Sequence, residues 1–202
     1  MISVSSVAKP AFASFPVIND EKVPLFDRPF YYLRHGESEA NRLKIIAGSL
    51  DVDLNDTGRE QARAAIALLR PLGITHVVSS GMKRARETAA IVAGALELPH
   101  AIVPGLAERN WGDLEGKPRA VRKRGAQPPG AETPEQFAAR TRAALAQVES
   151  RGVPLVVAHS GTFRVLCRLL GLEESEQPVS NCRPVRFVPP TRPDGSWTLE
   201  LS

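Results

Sequence analysis

The chain has 202 residues, of which 43% are hydrophobic, 24% charged and 5% aromatic, and it carries a net charge of +4. That length and balance fit one sizeable domain with a buried core and exclude a disordered, collagen-like or coiled-coil chain. No stretch approaches the roughly 18 consecutive apolar residues of a membrane helix, which excludes an integral membrane protein, and a basic charge of this size points to anionic partners or simply serves solubility.

Residues 1–28 are irregular by every local test. Pro10, Pro16 and Pro24 interrupt them, and Lys9, Lys22 and Arg28 offset Asp20, Glu21 and Asp27. The segment reads as an N-terminal extension, lying on the domain or partly without order, with the domain proper over 29–202. It has no basic stretch followed by an apolar one, so it does not read as a secretory signal. Cys167 sits in an apolar run, and the two cysteines, Cys167 and Cys182, lack a CxxC spacing. Neither a disulfide scaffold nor a structural zinc site fits, and a reducing, cytoplasmic location does.

From residue 30 a rhythm appears. Phe30–Leu33 is a short apolar run that stops at Arg34-His35-Gly36; Ile74–Val78 stops at Ser79-Ser80-Gly81; Val153–Ala158 stops at His159-Ser160-Gly161. Runs apolar throughout, rather than alternating, fit strands buried on both faces. Helical periodicity lies between and after them, over 56–70, 83–97, 134–150 and 161–170. Asn55 or Thr57 can cap the first of these, and Thr133-Pro134-Glu135-Gln136 opens the third with a Thr cap, Pro at the first position and Gln at the third. Val185–Val188 and Trp197–Leu201 read as two antiparallel edge strands. The sum predicts an α/β fold: a three-layer α/β/α sandwich with a mostly parallel central sheet.

In such sheets ligands bind at the carboxyl ends of the strands, where all three runs turn polar. Arg34, His35, Ser79, Ser80, His159 and Ser160 therefore converge on one edge. The helix that opens after Ser80 offers an anion its amino terminus and Arg84, while Arg86 reads as a solvated position. Leu106–Gly116, with Glu108 inside, reads alone as a polar loop with glycine turns. Lys117, Arg119, Arg122, Lys123 and Arg124 form a basic run without acids, either a solvated surface or a small cap that steers anionic substrates.

Taken together, these pieces resemble the histidine phosphatase superfamily, also called phosphoglycerate mutase-like. The first element, Arg-His-Gly-Glu-(Thr/Ser)-x-x-Asn, is met by Arg34, His35, Gly36, Glu37, Ser38 and Asn41. Gly48, Asp51, Leu54, Gly58, Gln61 and Ala62 meet the second. Ser80, Arg84, Ala85, Thr88 and Ala89 meet the third, Glu108, Gly112, Glu115 and Gly116 the fourth, and His159 and Gly161 the last. Gly81-Met82 stands where the family usually has Pro-Leu, and Ser160 where it usually has Gly.

The resemblance implies a phosphomonoesterase. His35 would attack phosphorus to give a phosphohistidine. Arg34, Arg84 and His159 would stabilise charge on the transferring group, with Asn41 as an amide donor and Ser38 and the Gly48 backbone as weaker contacts. Glu108 would protonate the leaving group and then activate water. No acidic pair has the context of a magnesium site, so no metal and no organic cofactor are expected. The expected partner is a small phosphorylated metabolite, with neither nucleic acid nor membrane, since aromatics are scarce and no recognition motif accompanies the charge. Mutases of the family carry a longer insertion before the second histidine. Here Glu108 and His159 are only 51 positions apart, which leaves room for a small cap and favours hydrolysis. A phosphoglycerate mutase and a phosphate-recognising module without catalysis are the alternatives.

Overall fold

Strand β1 (Phe30–Arg34) is buried along all five residues, as is β4 (Pro154–Ala158), which is what continuous apolar runs demand. They are parallel neighbours in a computed structural model that describes residues 23–123, 125–172, 179–192 and 195–201. With β2 (His76–Ser79), β3 (His100–Ile102), β5 (Pro184–Val188) and β6 (Thr198–Leu201) they form a six-stranded sheet in the order β3-β2-β4-β1-β5-β6. The first four run parallel; β5 is antiparallel to β1 and β6 to β5.

Alternate residues of each strand face two separate cores. Phe30, Tyr32, Val78, Val156, Ala158 and Phe187 pack with α4 (Pro134–Leu145) and α5 (Ser160–Leu169). Tyr31, Leu33, Val77, Leu155 and Val157 pack with α2 (Asp56–Leu69) and α3 (Lys83–Leu96). Helices on both faces of a mostly parallel sheet make the expected three layers. Asn55 rather than Thr57 caps α2, its side chain accepting from the Gly58 N–H. The Thr133 capping box is formed as expected. A short helix α1 (Glu39–Arg42) follows β1.

Several elements depart from the sequence reading, among them β5, which lies between β1 and β6 rather than at an edge. Strand β3 was not expected; only three residues long, it offers too short an apolar run to read. Helix α4 stops at Leu145 instead of reaching 150, because its end tightens: the Gln147 and Val148 N–H groups bond back to Ala144 and Leu145, three residues away. Val148 is nevertheless 2% exposed and belongs to the core. At the other end of the chain, Val23 and Leu25, in the segment read as an extension lying on the domain or partly without order, are buried in that core. Phe26 packs edge-on against Trp197 at 6.1 Å. The rest of that segment, 1–22, lies outside the described residues. Among the described residues no helix is long and apolar enough to cross a membrane.

The cap is knitted from two irregular stretches. The Ile46 N–H donates to the Lys117 carbonyl (2.9 Å), Gly116 to Ile46 (2.8 Å) and Arg119 to Lys44 (2.8 Å). Two 3₁₀ turns, Gly112–Leu114 and Arg119–Val121, lie within it.

Candidate active site

Adjacent strand ends bring the chemistry together. The register pairs Arg34 with Ala158 and Ser79 with Val157, and the ladder runs one residue further: the His35 N–H reaches the Ala158 carbonyl and the Ser80 N–H the Val157 carbonyl, both at 3.0 Å. His35 and His159 thus emerge side by side, their ring centroids 5.1 Å apart and the planes inclined by 59°. Gly36 is dictated by contact: a Cβ there would run into the backbone of Gly58 at the start of α2. The turn is pinned further by Gly36 N–H to Thr88 Oγ1 (3.0 Å) and Glu37 N–H to Gln61 Oε1 (2.9 Å).

The two imidazoles are held differently. His35 Nδ1 lies 2.6 Å from the Gly36 carbonyl. A carbonyl only accepts, so the Nδ1 of a neutral His35 carries the proton and Nε2 keeps its lone pair. His159 Nε2 lies 2.9 Å from Ser80 Oγ, which already accepts from the Met82 N–H (3.3 Å). If the Ser80 hydroxyl gives its proton to Nε2, the imidazole proton of His159 stands on Nδ1. That Nδ1 is buried and, among the described residues, has no hydrogen-bond partner; Arg34 Nε is in the same position. Arg34 Nε and, in that tautomer, His159 Nδ1 are buried donors that an oxyanion can satisfy.

Burial, reinforced by the charges of Arg84 and Arg34, holds the His35 pKa well below the ordinary imidazole value. Burial and Arg84 do the same to His159, with smaller contributions from His35 and Arg34. Both rings are therefore neutral at pH 7. Arg34 and Arg84 are 7% and 2% exposed, and burial lowers both of their pKa values. Among the described residues neither makes an ion pair with a carboxylate. They are fixed instead by carbonyls: Arg34 Nη1 donates to Val179 (2.9 Å), Arg84 Nη1 to Leu50 (2.8 Å) and Arg84 Nη2 to Gly48 (2.9 Å). Buried guanidinium groups held by neutral acceptors keep their full charge for a ligand. Arg86, on the same helix, is exposed, so the register of α3 is the one expected.

The remaining predicted residues occupy distinct places. Gly48 has φ +53°, and a Cβ there would strike the Glu115 carboxylate. Its carbonyl is what holds Arg84. Ser38 is fully buried, and its hydroxyl accepts from the Asn41 N–H to cap α1. Asn41 Oδ1 accepts from the Ser38 N–H at 3.3 Å, which leaves the Asn41 amide NH₂ as donor. Glu108 reaches the site from the loop after β3. Its Oε1 accepts from its neighbour's backbone, the Arg109 N–H (2.8 Å), and Oε2 from the Gly161 N–H (2.9 Å) at the start of α5. Gly161 must be glycine, since a Cβ would overlap that carboxylate.

Other residues of the site were not read from the sequence. The Tyr32 hydroxyl donates to the His159 carbonyl (2.6 Å), and Thr162 Oγ1 accepts from the His159 N–H (2.9 Å). Asn181 Nδ2 donates to the His35 carbonyl (2.6 Å) and the Cys182 N–H to that of Arg34 (2.9 Å). Met82, one of the two departures from the family pattern, places its sulfur 3.4 Å from Arg84 Nη2 and 3.5 Å from the Glu108 N–H. Arg140 and Glu132 pair at 2.8 Å behind Glu108. These groups come from distant stretches of chain and carry no spacing of their own. Among the described residues no three His, Cys, Asp or Glu side chains group as a metal site requires.

Residues 30–200 match the family model described as histidine phosphatase superfamily (branch 1). Over 160 residues the chain is 34% identical to a probable phosphoglycerate mutase of Yersinia pestis, an overlap of 70% of this chain and 74% of that protein. It is 31% identical over 198 residues to agropine synthesis reductase of Rhizobium rhizogenes, covering 93% of this chain but 45% of that protein. The chain thus spans less than half the length of this curated relative. Among solved structures, a mycobacterial glucosyl-3-phosphoglycerate phosphatase in complex with VO3 matches with a TM-score of 0.73 at 26% identity, over 86% of this chain and 98% of that one.

Proposed function

Because the chain belongs to the histidine phosphatase superfamily, branch 1, we propose that it is a metal-independent phosphomonoesterase that acts on a small phosphorylated metabolite through a phosphohistidine at His35. The observation that carries the reading is the state of His35: neutral, with Nδ1–H tied to the Gly36 carbonyl and Nε2 open beside Arg34, Arg84 and His159.

In the first half-reaction the Nε2 lone pair forms the N–P bond as the P–O bond to the leaving group breaks. Charge on the equatorial oxygens is met by the guanidinium groups of Arg34 and Arg84 and by His159 Nδ1–H, all fixed before the substrate arrives. Glu108, protonated, gives its proton to the departing oxygen. In the second half, the same carboxylate takes a proton from water, whose oxygen forms a new bond to phosphorus as the N–P bond breaks. Phosphate leaves and His35 is regenerated. Two buried thiols, Cys167 and Cys182, are in keeping with a cytoplasmic location.

The mutase is the second reading, favoured by the Yersinia relative. A mutase must keep water from its phosphohistidine. Here most of the described residues from Lys117 to Glu132 are exposed, and Val121 is the one large apolar side chain among them, too little to seal a pocket, which supports hydrolysis. Incubation with 3-phosphoglycerate tests this. Steady phosphate release without a bisphosphoglycerate primer, unaffected by EDTA and inhibited by vanadate, is the expected outcome. Primed conversion to 2-phosphoglycerate, much faster than phosphate release, would replace the phosphatase by the mutase.

A further inference from the structure

We propose that Arg140, on α4, is a positioning residue: locked to Glu132, it fixes where the Glu108 carboxylate stands and so governs protonation of the leaving group. The inference rests on the reading of Glu108 as the general acid.

Among the described residues, the stretch between Ile102 and Pro134 that carries Glu108 holds no α-helix or strand, so no ladder sets its place. Arg140 supplies what the ladder does not. Its Nη1 donates to the carbonyls of Gly105 (2.7 Å) and Ala107 (3.0 Å), and Nη2 lies 3.4 Å from that of Glu108 itself. The same guanidinium binds Glu132 through two parallel bonds, Nε to Oε1 (2.9 Å) and Nη2 to Oε2 (2.8 Å).

Glu132 then holds the loop on the far side of Glu108. Its Oε2 accepts from the Asn110 N–H (3.4 Å), its N–H donates to the Asn110 carbonyl (3.1 Å), and its carbonyl accepts from Arg109 Nε (2.8 Å). The loop is thus gripped before Glu108 by Arg140 and after it by Glu132. The grip is tight against α4, since a Cβ on Gly105 would come within 2.8 Å of Ala144 Cβ. The two side chains are 31% and 15% exposed, so the pair is sheltered from screening. A planar fork that serves three carbonyls and one carboxylate at once has no equivalent in lysine.

A clamp of this kind acts on one step. The cradle around His35 is held by other bonds, so loss of the clamp shifts Glu108 relative to the leaving oxygen and leaves the phosphate ligands in place. The test compares kcat/KM for p-nitrophenyl phosphate, whose leaving group needs little protonation, with that for glycerol 2-phosphate. Both are measured for Arg140→Lys, Glu132→Gln and Glu108→Gln, and for the double variants with Glu108→Gln, with Tm followed for each.

Arg140→Lys is expected to lose on the order of 10-fold or more on the alkyl ester and under about 3-fold on the aryl ester, as displacement of an acid from its proton acceptor does. In the Glu108→Gln background the alkyl-selective loss disappears, because both changes disable one step. Should Arg140→Lys not fold, Glu132→Gln, which keeps the shape, is read in the same way. An equal loss on both esters, or a loss that persists undiminished beside Glu108→Gln, overturns the positioning role and leaves Glu108 as the acid. If Glu108→Gln alone loses equally on both esters, the acid assignment falls and the inference with it.

Discussion

The site has two halves that rest on different physics. The proposed phosphate cradle hangs from strand ends and the helix starts after them: His35, His159 and Arg84 are 4%, 0% and 2% exposed, and their places follow from the register of β1, β4 and β2 and the opening of α3. The proposed acid, Glu108, comes from an irregular loop, held by one ion pair and a set of backbone carbonyls. Charge stabilisation rewards dryness and rigidity, because fixed donors act far more strongly once water is gone. Proton delivery requires reach toward a leaving group of variable shape and toward the water that follows it. The strand ends serve the first demand and the loop the second.

The sharpest way to break this division is to remove the nucleophile. His35→Ala should lower turnover on the order of 10⁴-fold or more on every ester, as loss of a covalent nucleophile does, while phosphate-like anions still bind weakly in a vanadate titration. Near-normal turnover would mean that the cradle is not where bonds change.

Glu108→Gln should slow alkyl esters roughly 10²–10⁴-fold, the range of a general acid, and aryl esters much less. Arg84→Ala should cost on the order of 10²–10³-fold, as loss of one fixed charge-stabilising group does, and it should cost the same on both ester types. That contrast separates the halves directly: an acid-side change reads the leaving group and a cradle-side change does not. Arg86→Ala, one exposed position along the same helix, should change little; the reverse ranking of the two arginines would mean that α3 is misplaced.

The smallest effect is on stability. Both buried imidazoles are held neutral by burial and by the neighbouring arginines. The unfolded chain takes up protons on these residues below about pH 6.5 and the folded chain does not. Their contribution is therefore complete above that pH and is lost as the pH falls, by up to ~1.4 kcal/mol per pH unit for each histidine. Urea denaturation at pH 7.5, 6.5 and 5.5 should show a flat region and then a decline, and His35→Ala should reduce the slope by one proton. A stability that rises on acidification would contradict a neutral, buried pair.

The cradle was largely legible in the sequence because strand ends announce themselves. An apolar run that stops at Arg34-His35-Gly36 or at His159-Ser160-Gly161 fixes both the layer and the edge where the side chains emerge, and helical spacing separated Arg84 from Arg86. The acid's support was not legible. Arg140 on an amphipathic helix looks like a solvated cation until folding sets it behind Glu108. Gly48 reads as a weaker backbone contact for phosphate, but no spacing shows that its carbonyl holds Arg84. Asn181 and Cys182 carry no pattern at all, yet the segment lies across the end of β1. Strand β3 was missed for want of length. In each case the missing information is which distant segment meets which, and local periodicity does not carry it.

Rapid-quench labelling with a ³²P-phosphomonoester tests the central claim most directly. The wild-type protein, stopped within its first turnovers, should carry a base-stable, acid-labile label that maps to His35 and is absent from His35→Ala. A quenched enzyme that turns over with no label, or one labelled at a residue other than His35, would contradict the account.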